Sequence, residues 1–350
     1  MSHSARMKCC LSHFRVKWLW IVAALWAIIA FAKLDAQEVV EEKIPRPTQL
    51  ASAYGFVLGQ SRALELVGEK YPDLLPRCRE IAMSWTLSAL GQGGKDAELE
   101  IASLLGPKWQ QERKKLEAQT SELIGKQQVS RDQAVAILNE VAARVKGKLP
   151  ETTRATLLSA NARYAKSPGL EIVEGWKQTY RTKDHPKSKG ADFSIDLPAS
   201  WSGREGNRPN IIQFFQSGAG HGNLACVLMV QDLPLEPGQS LSMQDIDELV
   251  RSPEIQEMLP DGAAMLSAET LPLEGCPTAM IVCDYAMERM QTKLILRMTQ
   301  FMIFHKRQML LIQFIVSALP EEKQKLDPLQ KQYLPTMKTI MNTLVLNDRY

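Results

Sequence analysis

The stretch from Lys293 to Ala318 constrains the fold of this chain more than any other. It reads KLILRMTQFMIF, then HKRQ, then MLLIQFIVSA, two strands about a polar tip. In the first arm Leu294, Leu296, Met298, Met302 and Phe304 share one parity, broken by Gln300. Lys293, Arg297 and Thr299 take the other, with Ile295, Phe301 and Ile303 among them. In the second arm Leu310, Ile312, Phe314 and Val316 share a parity. Successive strand side chains point to opposite faces, so each arm has one consistently apolar face. A hairpin this apolar needs a covering layer, because a bare apolar sheet face aggregates.

The N-terminus has the grammar of an export signal. Arg6, Lys8, Arg15 and Lys17 precede a fifteen-residue apolar run from Trp18 to Ala32. That run is shorter than the roughly 20 residues of a spanning helix and suits a signal peptide over residues 1–36. Ala30-Phe31-Ala32 and Leu34-Asp35-Ala36 are both usable cleavage sites, and the second is favoured. The alternative is an uncleaved anchor, with membrane association through residues 18–32. Residues 1–36 carry five basic side chains against Asp35, a net +4, while the whole chain is +3, so the remainder is −1. Nothing in that charge points to nucleic acid as a partner. Cys78, Cys226, Cys276 and Cys283 lie beyond the signal. Their even number permits disulfides in an exported chain, and their apolar settings equally suit small buried hydrophobes.

Gln37 to Gln49 reads as a polar lead-in. From about Leu50 to Ser167 the period is helical, giving five or six amphipathic helices with short connections, a small bundle. Gly91, Gly93 and Gly94 predict a helix stop, and Ser130 with Gln133 predicts a capping box. Residues 151–166 predict a last helix, and 169–175 a boundary. Beyond it the period becomes two. Strands are predicted at 192–198, 211–215, 224–231, 263–273 and 278–285, with a helix at 241–251 capped by Ser242. A closing helix at 321–346 puts Met337, Ile340, Met341 and Leu344 on one face, the natural cover for the hairpin. The expected class is α+β: an N-terminal helical domain (50–168), then an antiparallel sheet with packed helices (176–350).

The order of pieces DFSIDLPASW, NIIQFF, ACVLMVQDL, a short helix, FHKRQMLLIQFIVSA and TMKTIMNTLVL resembles the PsbP-like fold. That fold is shared by the photosystem II extrinsic protein PsbP, a Ran-binding nuclear import factor and bacterial envelope proteins of the DcrB type. Phe193, Ile195, Leu197, Pro198 and Trp201 are the most specific part, and the match spans 176–350. The resemblance implies a non-enzymatic binding or assembly module and carries no catalytic residues. The helical half resembles no named family.

The residues show no catalytic constellation, no cofactor motif and no metal-ligand spacing. Gly218, Gly220 and Gly222 hint at a phosphate cradle, but a strand follows rather than a helix, so a plain hairpin loop is expected. His185, His221 and His305 fall in three separate turns and read as exposed. Trp201, Arg204, Arg208 and His221 form the candidate recognition surface, since Trp and Arg concentrate at interface hot spots; the alternative is that Trp201 plugs the sheet end. Arg181, Lys183, Lys187 and Lys189 read as a solvated turn, with an anionic lipid or acidic partner as the alternative. The expected function is an exported, non-catalytic protein that binds another component of the cell envelope. The alternative is a small-molecule site or enzyme between the two halves, tested at Trp201 and Gly218 to Asn223.

Overall fold

The computed structural model describes residues 44–289 and 292–350, so the expected signal over 1–36 lies outside the described residues. The first helix, α1 (Arg46–Lys70), begins inside the expected polar lead-in. Pro45 is its N-cap and Pro47 sits in its first turn, where proline's missing N–H costs nothing. Leu50, fully buried, anchors that turn. The bundle continues through α2 (Leu75–Leu87), α3 (Ala89–Leu105), α4 (Lys108–Gly125), α5 (Arg131–Val145) and α6 (Glu151–Ala160). Two short helices, α7 (Ala162–Lys166) and α8 (Gly169–Val173), lead to the sheet. Ser130 and Gln133 form the predicted capping box on α5.

Two expectations fail here for physical reasons. The glycines at 91, 93 and 94 do not stop a helix; they lie inside α3. Packing overrides propensity: a Cβ on Gly93 would stand 1.9 Å from the carbonyl oxygen of Leu157 on α6, so only glycine lets the two helices touch. Gly93→Ala is expected to destabilise the fold by about 2 kcal/mol, as overpacking does. A lowered urea midpoint with unchanged m-value checks it. The predicted helix over 151–166 breaks at Asn161, whose Oδ1 accepts from the Arg163 amide at 3.0 Å and caps α7.

The strands are β1 (Lys177–Arg181), β2 (Phe193–Pro198), β3 (Ser202–Glu205), β4 (Ile211–Gln216), β5 (Leu224–Asp232), β6 (Ala264–Leu273), β7 (Cys276–Arg289), β8 (Thr292–His305), β9 (Gln308–Ala318) and β10 (Val345–Leu346). Seven form one antiparallel sheet in the order β3-β4-β5-β9-β8-β7-β6, and β1-β2-β10 form a second. The residues from Arg204, expected to be loop, begin within β3. Helices α9 (Met243–Arg251) and α10 (Glu254–Glu257) lie between β5 and β6, and α11 (Leu326–Met341) follows β9. The class is therefore the expected α+β.

The hairpin β8–β9 turns in two residues, with His305 opposite Gln308. That register pairs even with odd numbers: Phe301 faces Ile312 and Met302 faces Leu311. The two apolar rows seen in the sequence therefore point to opposite faces of the sheet, and both faces are covered. On one, Phe301, Ile312 and Phe314 pack beneath α11 and the small sheet, through Met337, Ile340, Phe193 and Ile195. On the other, Met302, Phe304 and Leu311 pack beneath α9 and α10, through Ile246, Leu249 and Ile255. Under the start of α11 lies a buried ion pair. Arg297 Nε and Nη2 donate to the two oxygens of Asp284, its cross-strand neighbour, at 2.7 and 3.0 Å. Asp327 on α11 also accepts from Arg297.

The helical half and the sheet half share a core. Ala199, at the end of β2, and Trp176, before β1, pack with Ala53, Trp85, Leu90, Leu157 and Tyr164. Gly169 donates its amide to Thr336 Oγ1 on α11 at 3.1 Å, which pins α8 to the closing helix. Among the described residues no helix is long and apolar enough to cross a membrane.

Candidate functional site

Where these halves meet they leave a cleft of about 300 Å³. The helical side supplies Arg46, Glu100, Ser159, Tyr164 and Glu171. The sheet side supplies Ser200, Trp201, Tyr333 and the loop from Ser217 to Asn223. The loop is the expected β4–β5 hairpin connection, yet it also forms a wall. Gly218, Ala219 and Gly220 all have positive φ, and the Ala219 amide donates to the Ser200 carbonyl at 2.8 Å. That contact ties the loop to the residue that holds the central side chain of the cleft.

That side chain is Glu171, only 1% exposed. It rides on α8, one turn long, fixed by Gly169 against α11. Ser200 clamps its carboxyl at both oxygens: Oγ donates to Oε1 at 2.6 Å and the backbone amide to Oε2 at 2.9 Å. Among the described residues no ion pair joins Glu171 to a cation. Burial disfavours the charged form, and although the Ser200 donors oppose it, the carboxyl is pushed up to about 7.

The arginine of the cleft is already engaged. Arg46 binds Glu100 with a two-pronged fork at 3.0 and 2.9 Å and donates to Ser159 Oγ at 2.8 Å. Tyr164 donates its hydroxyl to Glu174 at 2.5 Å. Burial and that bond raise its phenol, while the bond draws the Glu174 carboxyl down. Trp201 is 3% exposed, and its indole Nε1 is buried without a hydrogen-bond partner among the described residues.

The structure divides the four candidate recognition residues. Trp201 and His221 line the cleft, with His221 Nε2 3.1 Å from the Ile44 carbonyl. Trp201 also fills the core at the sheet end, so its plugging role and its place in the wall coincide. Arg204 belongs elsewhere: on β3 its guanidinium stacks over Phe214, 4.7 Å from the ring centroid, on the face that packs toward α9. Arg208 is half-buried in the loop before β4, outside the cleft. The alternation of β3 turns Arg204 away from Trp201, so of these four residues Trp201 and His221 share the cleft.

The histidines are less exposed than expected. His185 Nδ1 accepts from the Lys187 amide at 3.2 Å. His305 bridges Cys276 Sγ, 3.5 Å from Nδ1, and Asp348, 3.0 Å from Nε2. Thiol, imidazole and carboxylate in that order match a nucleophilic triad. The thiol is 5% exposed, burial pushes it up, and it lines neither the 300 Å³ cleft nor the apolar cavity of about 130 Å³ beneath α11. The four described cysteines are free and buried. Three residues of the basic turn are ion-paired: Arg181 with Asp192, Lys187 with Glu205 and Lys189 with Asp232. Among the described residues no group of three or more His, Cys, Asp or Glu is placed to hold a metal ion.

Sequence pattern does not single out Glu171. Its signal was one acid inside Gly-Leu-Glu-Ile-Val, an apolar turn between Pro168 and Gly175. The one-turn helix presents Glu171 to the second half of the chain, while Val173 on the same turn is exposed.

No family model and no curated protein matches this chain. Among solved structures, a Pseudomonas aeruginosa protein of unknown function, described as a putative regulator, is 14% identical, with a TM-score of 0.24 over 48% of this chain and 96% of its own. LpqN of Mycobacterium tuberculosis, described as involved in cell envelope biogenesis, is 14% identical, with a TM-score of 0.29 over 50% of this chain and 93% of its own. At such TM-scores neither carries its fold or role over to this chain. What fold and site together define is a two-part α+β protein with a polar cleft at its internal junction.

Proposed function

We propose that this chain is an exported, non-catalytic binding protein that takes a small ligand in the cleft between its helical and sheet halves. The observation that carries the reading is a buried carboxyl clamped by Ser200, lining the cleft with no cation paired to it among the described residues. Burying such a group costs several kcal/mol unless something else rewards it, and groups perturbed in this way concentrate at binding sites. Export rests on the sequence of residues 1–36, and the PsbP-like reading of the second half rests on the motif at Phe193 to Trp201.

Ala165 is an exposed residue of the cleft rim, so Ala165→Trp narrows the cleft without touching the core. A thermal-shift panel of small polar molecules is expected to raise the wild-type Tm and leave the variant unmoved. Equal shifts in both proteins would place the binding elsewhere.

A second reading, a protein partner in the cell envelope, is favoured by the exposed large apolar side chains Met83, Leu87, Leu99 and Leu123 of α2 to α4. A crosslinked pull-down in which Leu87→Asp and Leu99→Asp lose a stoichiometric partner would support it.

A further inference from the structure

Resting on the cleft as the ligand site, we infer that its ligand is a small organic cation, an amine or quaternary ammonium group held by Glu171 in a cleft partly lined by aromatic residues. The charges in the cleft leave little room for another class. An anionic ligand would meet Glu171 and Glu100, and the guanidinium of Arg46 that could receive it is committed to Glu100 and Ser159. A neutral ligand offers the Glu171 carboxylate no charge partner and leaves it to take up a proton. A cation supplies that charge.

The carboxyl is prepared for this role. Each oxygen accepts one hydrogen bond from Ser200, which fixes the group's orientation and leaves lone pairs on both oxygens for a further donor. Trp201, Tyr164 and Tyr333 line the same cleft, and aromatic faces attract a desolvated cation. A cavity of about 300 Å³ sits at the lower end of the size range of small-molecule pockets. The position of Glu171 near half-protonation at neutral pH fits as well. With no cation bound the carboxyl escapes its buried charge by taking up a proton, and an incoming cation expels that proton.

The test uses three probes that share a trimethyl head: choline, its uncharged carbon isostere 3,3-dimethylbutanol, and the anion pivalate. Choline is expected to bind the wild type by calorimetry at pH 8 and to weaken about tenfold by pH 5.5 as Glu171 protonates. Glu171→Gln is expected to lose about tenfold in choline affinity at pH 8 with its circular dichroism unchanged. A second measurement needs no variant: at pH 7, titrations in buffers of different ionisation enthalpy should show release of about half a proton per choline bound. Dimethylbutanol or pivalate binding as tightly as choline, with Ala165→Trp abolishing it, would keep the cleft and overturn the cation. Choline binding that neither releases a proton nor depends on Glu171 would also overturn it. Failure of all three probes to bind would count against both the cation and the cleft.

Discussion

Arg297→Leu is expected to destabilise this protein by about 3–5 kcal/mol, the range for breaking one side of a buried ion pair. Arg297 and Asp284 face each other across β8 and β7, and each side chain is 7% exposed. Removing the guanidinium leaves Asp284 buried beneath α11. Lys323 Nζ, 3.8 Å from Asp284 Oδ2 on an exposed side chain, screens it weakly. The attraction between the pair roughly offsets what it costs to remove both from water, so the loss comes from the orphaned partner. The double variant Arg297→Leu with Asp284→Leu is accordingly expected to recover most of the stability. Urea unfolding of both variants decides the point. A double variant as unstable as Arg297→Leu alone would show that the pair itself, and not the orphaned carboxylate, carries the effect. The bond to Asp327 adds less, since that carboxylate is 82% exposed and water replaces its partner.

The second large effect is a pH dependence of stability centred on Glu171. A glutamate normally titrates near 4.5 and this one is pushed up to about 7. The folded state therefore binds the proton more tightly than the unfolded chain does. Its stabilising contribution is fully present below about pH 4.5 and is lost as pH rises through 7, amounting to about 3 kcal/mol at most. The other ionisable groups of the cleft are Arg46, Glu100, Tyr164, His221 and Tyr333. Comparing wild type with Glu171→Gln cancels their shared contribution. The difference in unfolding free energy between the two proteins should swing toward the glutamine variant as pH is raised from 5 to 8. A flat difference would mean that Glu171 is ionised throughout, and the case for an uncompensated buried acid would fall. Saturating choline should flatten the wild-type curve, because the bound cation restores the ionised form.

The same residues show how far local pattern reaches. The capping boxes at Ser130 and Ser242, the strand ladder after Trp176 and the apolar face of α11 were all legible, because each depends on neighbours within a few positions. Gly93 sits inside α3 against its own propensity. Its backbone contact is with Leu157, 64 positions further on, and propensity knows nothing of it. The cleft was legible only as a place: Trp201 and the Gly218 to Asn223 loop mark it, while Arg204 and Arg208 do not belong to it.

The sequence alone determined the α+β order, the two capping boxes, most of the strands and the burial of the hairpin, since these follow from side-chain period and turn chemistry. It also determined that the hairpin had to be covered. Only the tertiary structure decided that both of its faces are covered, because the two-residue turn sets a register that sends the two apolar rows to opposite sides. Only the tertiary structure brought Glu171 against Ser200 and left it without a counter-charge among the described residues. The cost of burying a charge depends on what surrounds it in three dimensions, and its neighbours there come from both halves of the chain.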